Sequence, residues 1–320
     1  MLTGLLADAS GHWLDGLFLR LAGAAPSGSF FSYSYNLYAL VALVLVSLSC
    51  GAVGSLVVGG RMAFFSDALA HCAFASVSIG FVLFTWFISR FRPAAEFWTW
   101  VTPIMLGFGL GIGYLIAYVR ERTGLASDTV IGVAFAAAIG LAAMLREVMQ
   151  SRDLFRLEDF LFGNPLLLRG DDLVALALLT VVTVALLALT FNHLLLSSFN
   201  TSLALSRRVP TRLVSYAFIM LLALVVNLSV RTVGVLLINA LLVVPAATAA
   251  NLSRNLRQVF WLTMGLCLAS SLLGQAAAWE CENRFDLRLG IPGTVILVSV
   301  TAFIASAVVG PRLRERRAAS

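Results

Sequence analysis

An aspartate and a histidine, Asp67 and His71, lie four positions apart in a segment that is otherwise almost wholly apolar. Between Arg61 and Arg90 the only other ionisable side chain is that of Cys72. Four residues make about one helical turn, so a helix would place both side chains on one face. Carboxylate oxygen and imidazole nitrogen are ligands for divalent ions such as zinc, manganese and iron. Because ionisable groups are costly inside a membrane, the pair indicates a metal site with a function.

Asp67 also has a purely structural interpretation. It follows Arg61 closely, and Ser66-Asp67 is a suitable pair for capping the N-terminus of a helix. The residues alone leave a cap and a metal ligand open as alternatives. His71 favours the ligand, because it lies deeper in the apolar segment and needs a polar partner there.

A second group of polar residues follows the apolar run that contains Asn239. Proline lacks an N–H and bends a helix, so Pro245 is predicted to end this span. A small-residue turn, AATAA, and a short amphipathic helix at the cytoplasmic face are then expected up to Gln258. Small side chains next to Arg254 and Arg257 would make residues 245–258, the docking segment, suitable for contacting a partner protein.

The composition is that of a chain made mostly of membrane helices. Of its 320 residues 60% are hydrophobic and 12% are charged, and the mean hydropathy is +0.94. Apolar runs of about 20 residues, long enough to cross a bilayer, recur along the chain. They predict an all-α polytopic membrane helical bundle with nine spans, roughly residues 36–58, 62–89, 97–119, 128–149, 172–195, 213–230, 232–249, 258–279 and 291–310. Only Arg231-Thr232 separates the sixth span from the seventh. If the seventh is a half-helix or a re-entrant segment, eight full crossings remain.

The arginines predict the orientation and the limits of the membrane domain. Alternating loops hold 12 of the 22 arginines and few acids, so these loops and the C-terminus are expected in the cytoplasm. Nine spans then put the N-terminus outside. The predicted parts are an N-terminal tail (1–35) with a candidate interfacial helix, a transmembrane domain (36–310) and a basic cytoplasmic tail (311–320).

Several functional classes are disfavoured. The positive charge is scattered among loops, so it does not predict nucleic-acid binding. The four cysteines form no CxxC or paired pattern, and no HExxH, Walker A or Ser-His-Asp motif is present. We therefore expect a chain without catalytic residues and without a permanently bound cofactor.

Five segments, in order along the chain, resemble the ABC-3 family of metal-transport permeases. Residues 59–81, GGRMAFFSDALAHCAFASVSIGF, are similar to its RRM…GDALSHA…GVALG signature, with Ser66 in place of Gly and Cys72 in place of Ala. Residues 128–141 resemble its DTAIGI segment. Residues 158–173 resemble LLFGDLL…(D/E)DL, with Asn164 where the family has Asp. Residues 236–259 are similar to LL…ALLIIPAATA, and residues 290–306 to PPGATIVL.

The resemblance implies the membrane subunit of an ATP-binding-cassette importer for zinc, manganese or iron in the inner (plasma) membrane of a bacterium. Such a permease works as a homodimer, with a cytoplasmic ABC ATPase subunit and an extracytoplasmic metal-binding receptor protein. By this resemblance Asp67 and His71 would line the path of the transported ion. The docking segment would supply the coupling helix, with the contact residues Pro245, Ala246, Ala247, Thr248, Arg254 and Arg257.

Two other functions remain as alternatives. In a proton-coupled secondary cation transporter, Asp67 and His71 would act as a proton relay and no docking segment would be needed. An intramembrane metalloprotease would need a tighter metal motif than the one present. Further candidates for path-lining or surface roles are His193, the acidic loop around Glu282, and the amides of Asn227, Asn239 and Gln275.

Overall fold

The computed structural model describes residues 2–26, 28–60, 62–83, 97–150, 163, 168, 170–199 and 210–318. A single 3-10 turn, Phe30–Ser32, lies between the first two of ten helices in this part of the chain. The helices are α1 (Leu2–Ala24), α2 (Ser34–Gly59), α3 (Phe65–Leu83), α4 (Phe97–Thr123), α5 (Ser127–Gln150), α6 (Gly170–Phe199), α7 (Thr211–Val233), α8 (Val235–Leu252), α9 (Leu256–Phe285) and α10 (Ile291–Ala318).

The predicted all-α membrane fold is confirmed. Helices α2 to α10 coincide with the nine predicted spans, and within the described ranges seven of them are long and apolar enough to cross a bilayer: α2, α4, α6, α7, α8, α9 and α10. A shorter apolar stretch, Ser127–Leu141, lies in α5. The predicted end of the second span at 84–89 and the substituted position Asn164 lie outside the described residues.

The chain is divided into two compact units. The first contains residues 1–58, 162–185 and 232–320, and the second contains residues 59–161 and 186–231. Helix α6 contributes its first half to the first unit and its second half to the second unit.

Helix α2 forms the centre of the first unit. Its inward residues include Leu43, Val46 and Val53, which are fully buried. Hydroxyl pairs connect it to its neighbours: Ser47 Oγ lies 2.6 Å from Ser271 Oγ of α9, and Ser49 Oγ lies 3.0 Å from Thr180 Oγ1 of α6. Because hydrocarbon offers no hydrogen-bond partners, these pairs satisfy the polar groups of the buried helix internally.

Two glycines let the neighbouring backbones approach α2 closely. A Cβ atom on Gly54 would lie 2.6 Å from the carbonyl oxygen of Leu242 in α8. A Cβ atom on Gly51 would lie 2.9 Å from the Cα atom of Met264 in α9. Small residues at helix contacts are a common device of membrane proteins, since they bring backbones within van der Waals distance.

Pro245 does not end its span, so that prediction is wrong. Helix α8 continues through Pro245 to Leu252, and the AATAA sequence is helical rather than a turn. Proline leaves the carbonyl four residues earlier, that of Leu241, without its helical donor. The buried thiol of Cys267 in α9 donates to this oxygen at 3.3 Å. The contact supplies a replacement donor, and the helix tolerates its proline.

The predicted short helix within the docking segment is wrong for the same reason. Residues 245–252 belong to α8, residues 253–255 form a short connection, and α9 begins at Leu256. At the other end of α8, Gly234 separates it from α7 with a φ of 84°, a left-handed conformation that glycine adopts without a Cβ penalty. The predicted boundary at Arg231-Thr232 is therefore correct to within a few residues.

The second unit contains a close contact between α4 and α7. The side chain of Asn227 in α7 packs on the Cα of Gly109, where a Cβ atom would lie 2.6 Å from Asn227 Oδ1. One turn further along, a Cβ atom on Gly113 would lie 3.2 Å from the Cβ of Ala223. Of the four glycines in this part of α4, these two thus make close contacts, whereas Gly107 and Gly111 have no atom within 4 Å of an added Cβ.

Substitution Gly54→Ala is expected to destabilise the first unit by about 1–3 kcal/mol, because the added methyl group overlaps a backbone oxygen that cannot move independently. Gly265→Ala in α9 is the matched control, since an added Cβ there meets no atom within 4 Å. Thermal unfolding of the purified variants in detergent measures the difference. Equal midpoints for the two variants would contradict the proposed close contact.

Gly109→Ala is expected to lower the thermal midpoint, because the new methyl group overlaps the Asn227 amide. Adding Asn227→Ala to the same chain should restore part of the loss by removing the overlapping group. Gly111→Ala is the control in the same helix. A double-mutant cycle measures the coupling, and strictly additive effects of Gly109→Ala and Asn227→Ala would show that the two residues do not touch.

Candidate functional site

Helix α3 positions the predicted metal ligands. It begins at Phe65, so Asp67 lies in its first turn and His71 one turn later. The closest approach between them is 3.8 Å, from His71 Nε2 to Asp67 Oδ1. Their placement on one helical face, as predicted from the four-residue spacing, is therefore observed.

The pair forms an accessible stripe on α3 beside fully buried neighbours. The side chains of Asp67 and His71 are 38% and 30% exposed, whereas their neighbours Ala68, Leu69 and Ala70 are fully buried. The ring of His71 meets Phe135 of α5 edge to face, with ring centroids 5.1 Å apart. Because one side of the imidazole packs on this aromatic ring, its position is restricted while the ring nitrogen Nε2 remains directed toward Asp67.

The geometry suits weak binding of a single cation. Two ligand atoms that are each about 2.1 Å from one ion lie about 3.0–3.4 Å apart at angles of 90–110°. The observed 3.8 Å needs only a small side-chain rotation to reach this range. The described residues contain no cluster of three or more His, Cys, Asp or Glu that could hold a metal.

The cap interpretation of Ser66-Asp67 is only partly reflected in the structure. Ser66 is buried, and its hydroxyl donates to the carbonyl oxygen of Ala63 at 3.4 Å. Asp67 is in the first turn, where a negative charge is favourable to the helix dipole. A helix-stabilising role for Asp67 is therefore compatible with its contact to His71.

The predicted docking residues fall into two groups. Pro245, Ala246 and Thr248 are buried inside the first unit, and Ala247 is half-buried between them. Arg254 and Arg257 are exposed beyond the end of α8. The first group therefore packs largely within the chain's own core, and of the six predicted residues the two arginines are the exposed ones.

A surface depression of about 770 Å³ surrounds these arginines; its lining residues are Leu252, Ser253, Arg254, Asn255, Arg257, Gln258, Trp261 and Leu262. The side-chain oxygen of Gln258 accepts the backbone N–H of Arg254 at 3.1 Å, which fixes the connection between α8 and α9. Trp261 was not among the residues predicted from the sequence. An exposed tryptophan one turn after Arg257 is a feature that sequence inspection could have used.

The remaining candidates have ordinary structural surroundings. Glu280 and Glu282, predicted to lie in an acidic loop, are instead in the last turns of α9. Arg284 Nε lies 2.6 Å from Glu280 Oε2, and Arg288 Nε lies 3.7 Å from Glu282 Oε1. Two of the carboxylates are thus neutralised by arginine. His193 is exposed on α6, and Gln275 donates to the Asn36 carbonyl at 3.2 Å.

Known proteins of similar sequence share a transport role. The Manganese import system permease protein ScaB of Streptococcus parasanguinis is 29% identical over 281 residues, covering 87% of this chain and 92% of that protein. The Manganese transport system membrane protein MntC of Listeria monocytogenes is 28% identical over 281 residues, covering 88% and 92%. A chain in the structure of PsaBC from Streptococcus pneumoniae in complex with Fab has the same fold, with a TM-score of 0.70, 24% identity, and coverage of 90% of this chain and 96% of that chain.

The sequence profile of the ABC 3 transport family matches residues 32–310, which include both α3 and the docking segment. The match begins after α1, so the first helix lies outside the part that the family shares. From its family match and its membrane-spanning helices, this chain belongs to the ABC 3 transport family, as a multi-pass membrane permease subunit rather than an enzyme.

Proposed function

We propose that this chain carries a divalent metal ion across the plasma membrane of a bacterium, as the permease of an ATP-binding-cassette importer. The observation that carries the proposal is the half-exposed Asp67–His71 pair on one face of α3. Its membership of the ABC 3 transport family and the names of its manganese-transporting relatives support the same function.

Manganese is the cargo that we favour among manganese, zinc and iron. Carboxylate oxygen and imidazole nitrogen serve all three ions, whereas thiolate ligands favour zinc. Cys72 follows His71 directly but is fully buried, so its sulfur does not join the accessible pair. The relatives named above are manganese systems, which points in the same direction.

We further propose that two copies of the chain form the ion path. One pair of ligands leaves most of the coordination shell of an ion to water or to other groups, and a second copy would contribute a second pair. A path built from such pairs would hold an ion strongly enough to admit it and weakly enough to release it. An extracytoplasmic metal-binding receptor would deliver the ion.

The exposed arginines are the proposed contact with the cytoplasmic ATPase. Arg254 and Arg257 border a depression next to Trp261, and such a combination of arginine and aromatic side chains is typical of protein interfaces. Pro245, Ala246, Ala247 and Thr248 would act indirectly in this arrangement. They pack α8 within the first unit and thereby fix where the connection to α9 emerges.

His71→Ala and Asp67→Ala are each expected to reduce metal uptake to background, because each removes one of the two ligands from the path. His193→Ala, an exposed histidine in the same unit, is the matched control and should retain uptake. The measurement is ⁵⁴Mn²⁺ uptake by proteoliposomes that contain the permease with its ATPase and receptor, with insertion checked by size-exclusion chromatography. Full uptake by both alanine variants would reduce the pair to a structural role.

The same vesicles separate the importer from a proton-coupled transporter. Uptake is expected to need ATP and to persist after the proton gradient is collapsed. Uptake that continues without ATP and follows the proton gradient would favour Asp67 and His71 as a proton relay.

The double charge reversal Arg254→Glu/Arg257→Glu is expected to lower co-purification of the ATPase about tenfold, because it removes two cationic contacts and adds repulsion. Arg284→Glu/Arg288→Glu is the matched control, since these arginines lie near the opposite end of α9. Quantitative pull-down from membranes measures the yield of the ATPase. An undiminished yield for the first variant would exclude this depression as the contact.

A further inference from the structure

Helix α1 lies outside the family match, and its side chains contact the beginning of α2. The hydroxyl of Tyr38, in the second turn of α2, donates to Asp15 Oδ1. The ring of Phe18 meets the same tyrosine edge to face, with ring centroids 4.7 Å apart. Phe18 and Ala22 are buried by this packing. The middle of α1 is therefore held beside the first turns of a membrane span.

The connection between α1 and α2 packs against the end of α9. The rings of Phe30 and Tyr33 lie 5.6 and 5.5 Å from that of Trp279. Asn36 Nδ2 donates to the carbonyl of Phe30 at 3.1 Å, while the Asn36 carbonyl accepts from Gln275 Nε2 at 3.2 Å. Two spans, α2 and α9, thus begin and end at the level where α1 is attached, which is a boundary between hydrocarbon and water.

The side of α1 that faces away from the protein carries an apolar stripe. Trp13, Leu17 and Leu21 follow one another at helical spacing and are 59%, 42% and 50% exposed. At 100° per residue this stripe lies more than 90° from the face of Phe18 and Ala22. A third side holds Gly16 and Gly23, where an added Cβ would meet no atom within 4 Å.

We propose that α1 lies in the membrane interface, with the Trp13–Leu17–Leu21 stripe inserted between lipid headgroups and acyl chains. Exposed aromatic residues also follow α1 in the chain: Phe31 and Tyr33 lie just before α2, and Tyr35 lies in its first turn. Tryptophan and tyrosine concentrate at this depth in membrane proteins because their rings are amphipathic.

Arg20 supports lipid rather than protein as the occupant. It is exposed and falls between the stripe and the glycine side, the place from which a guanidinium reaches headgroup phosphates. The helix thereby has three sides with three different neighbours: its own protein at Phe18, lipid at Leu17, and water at Gly16. It anchors the entry of α2 at the surface of the bilayer, independently of the transport function.

Spin labels at single cysteines in the full-length chain test this placement. The labelled positions are Trp13→Cys, Leu17→Cys and Leu21→Cys on the stripe, with Gly16→Cys and Gly23→Cys as controls on the water side. All are made in a Cys281→Ser background, because Cys281 is the most accessible native thiol in the described part of the chain. The protein is reconstituted in phosphatidylglycerol–phosphatidylethanolamine vesicles, and relaxation by oxygen is compared with relaxation by a water-soluble nickel chelate.

Labels on the stripe are expected to respond at least several-fold more to oxygen relative to nickel than the two control labels. Equal ratios at all five positions would overturn the proposal, since the stripe would then face water. Spin–spin broadening at the stripe, abolished by dilution with unlabelled protein, would also overturn it, because a second copy would then cover the stripe. Low accessibility to both reagents without broadening would assign the stripe to another protein surface and equally exclude lipid.

Discussion

The absence of hydrogen-bond partners in hydrocarbon is the constraint on which the rest of this structure depends. Sixteen of the 26 residues of helix α2 are buried, and Ser47 and Ser49 are among them. Their hydroxyl partners on α9 and α6 are 2.6 and 3.0 Å away, distances that require the helix axes to be close. Gly51 allows the approach of α9, because a Cβ atom there would lie 2.9 Å from the Met264 Cα. Polar pairing and glycine packing thus act together where α2 meets α9.

The same constraint explains why α8 remains helical past Pro245 and where the helix ends. Pro245 removes one backbone donor, and the thiol of Cys267 replaces it at the Leu241 carbonyl. The helix therefore continues to Leu252 before the chain turns at residues 253–255. The exposed position of Arg254 at the surface of the first unit follows from this extra length. A buried contact between α8 and α9 thus contributes to which residues lie at the surface after α8 ends.

The sequence predicted most of the helices, but not the contacts between helices that determine where some of them end. Apolar run length located α2 to α10, because span length is set by bilayer thickness and read locally. Pro245 was misinterpreted because its compensating donor is 22 residues away in the chain and has no local signature. Among the glycines of α4, only Gly109 and Gly113 make close contacts, and the choice is made by Asn227 and Ala223 on another helix. The spacing of Asp67 and His71 predicted their shared face, but their exposure depends on which neighbours α3 packs against.

That exposure distinguishes Asp67 and His71 from the polar residues that stabilise the fold. Ser47, Ser49 and Gln275 are buried and paired at hydrogen-bond distances with groups of their own chain, as a structural role requires. Asp67 and His71 lie 3.8 Å apart, and each keeps about a third of its side chain accessible. In the role that we propose for them, a completed ligand set would bind an ion tightly and release it slowly, whereas an open set leaves coordination positions for water. An open site of this kind would suit a permease whose cargo must leave again.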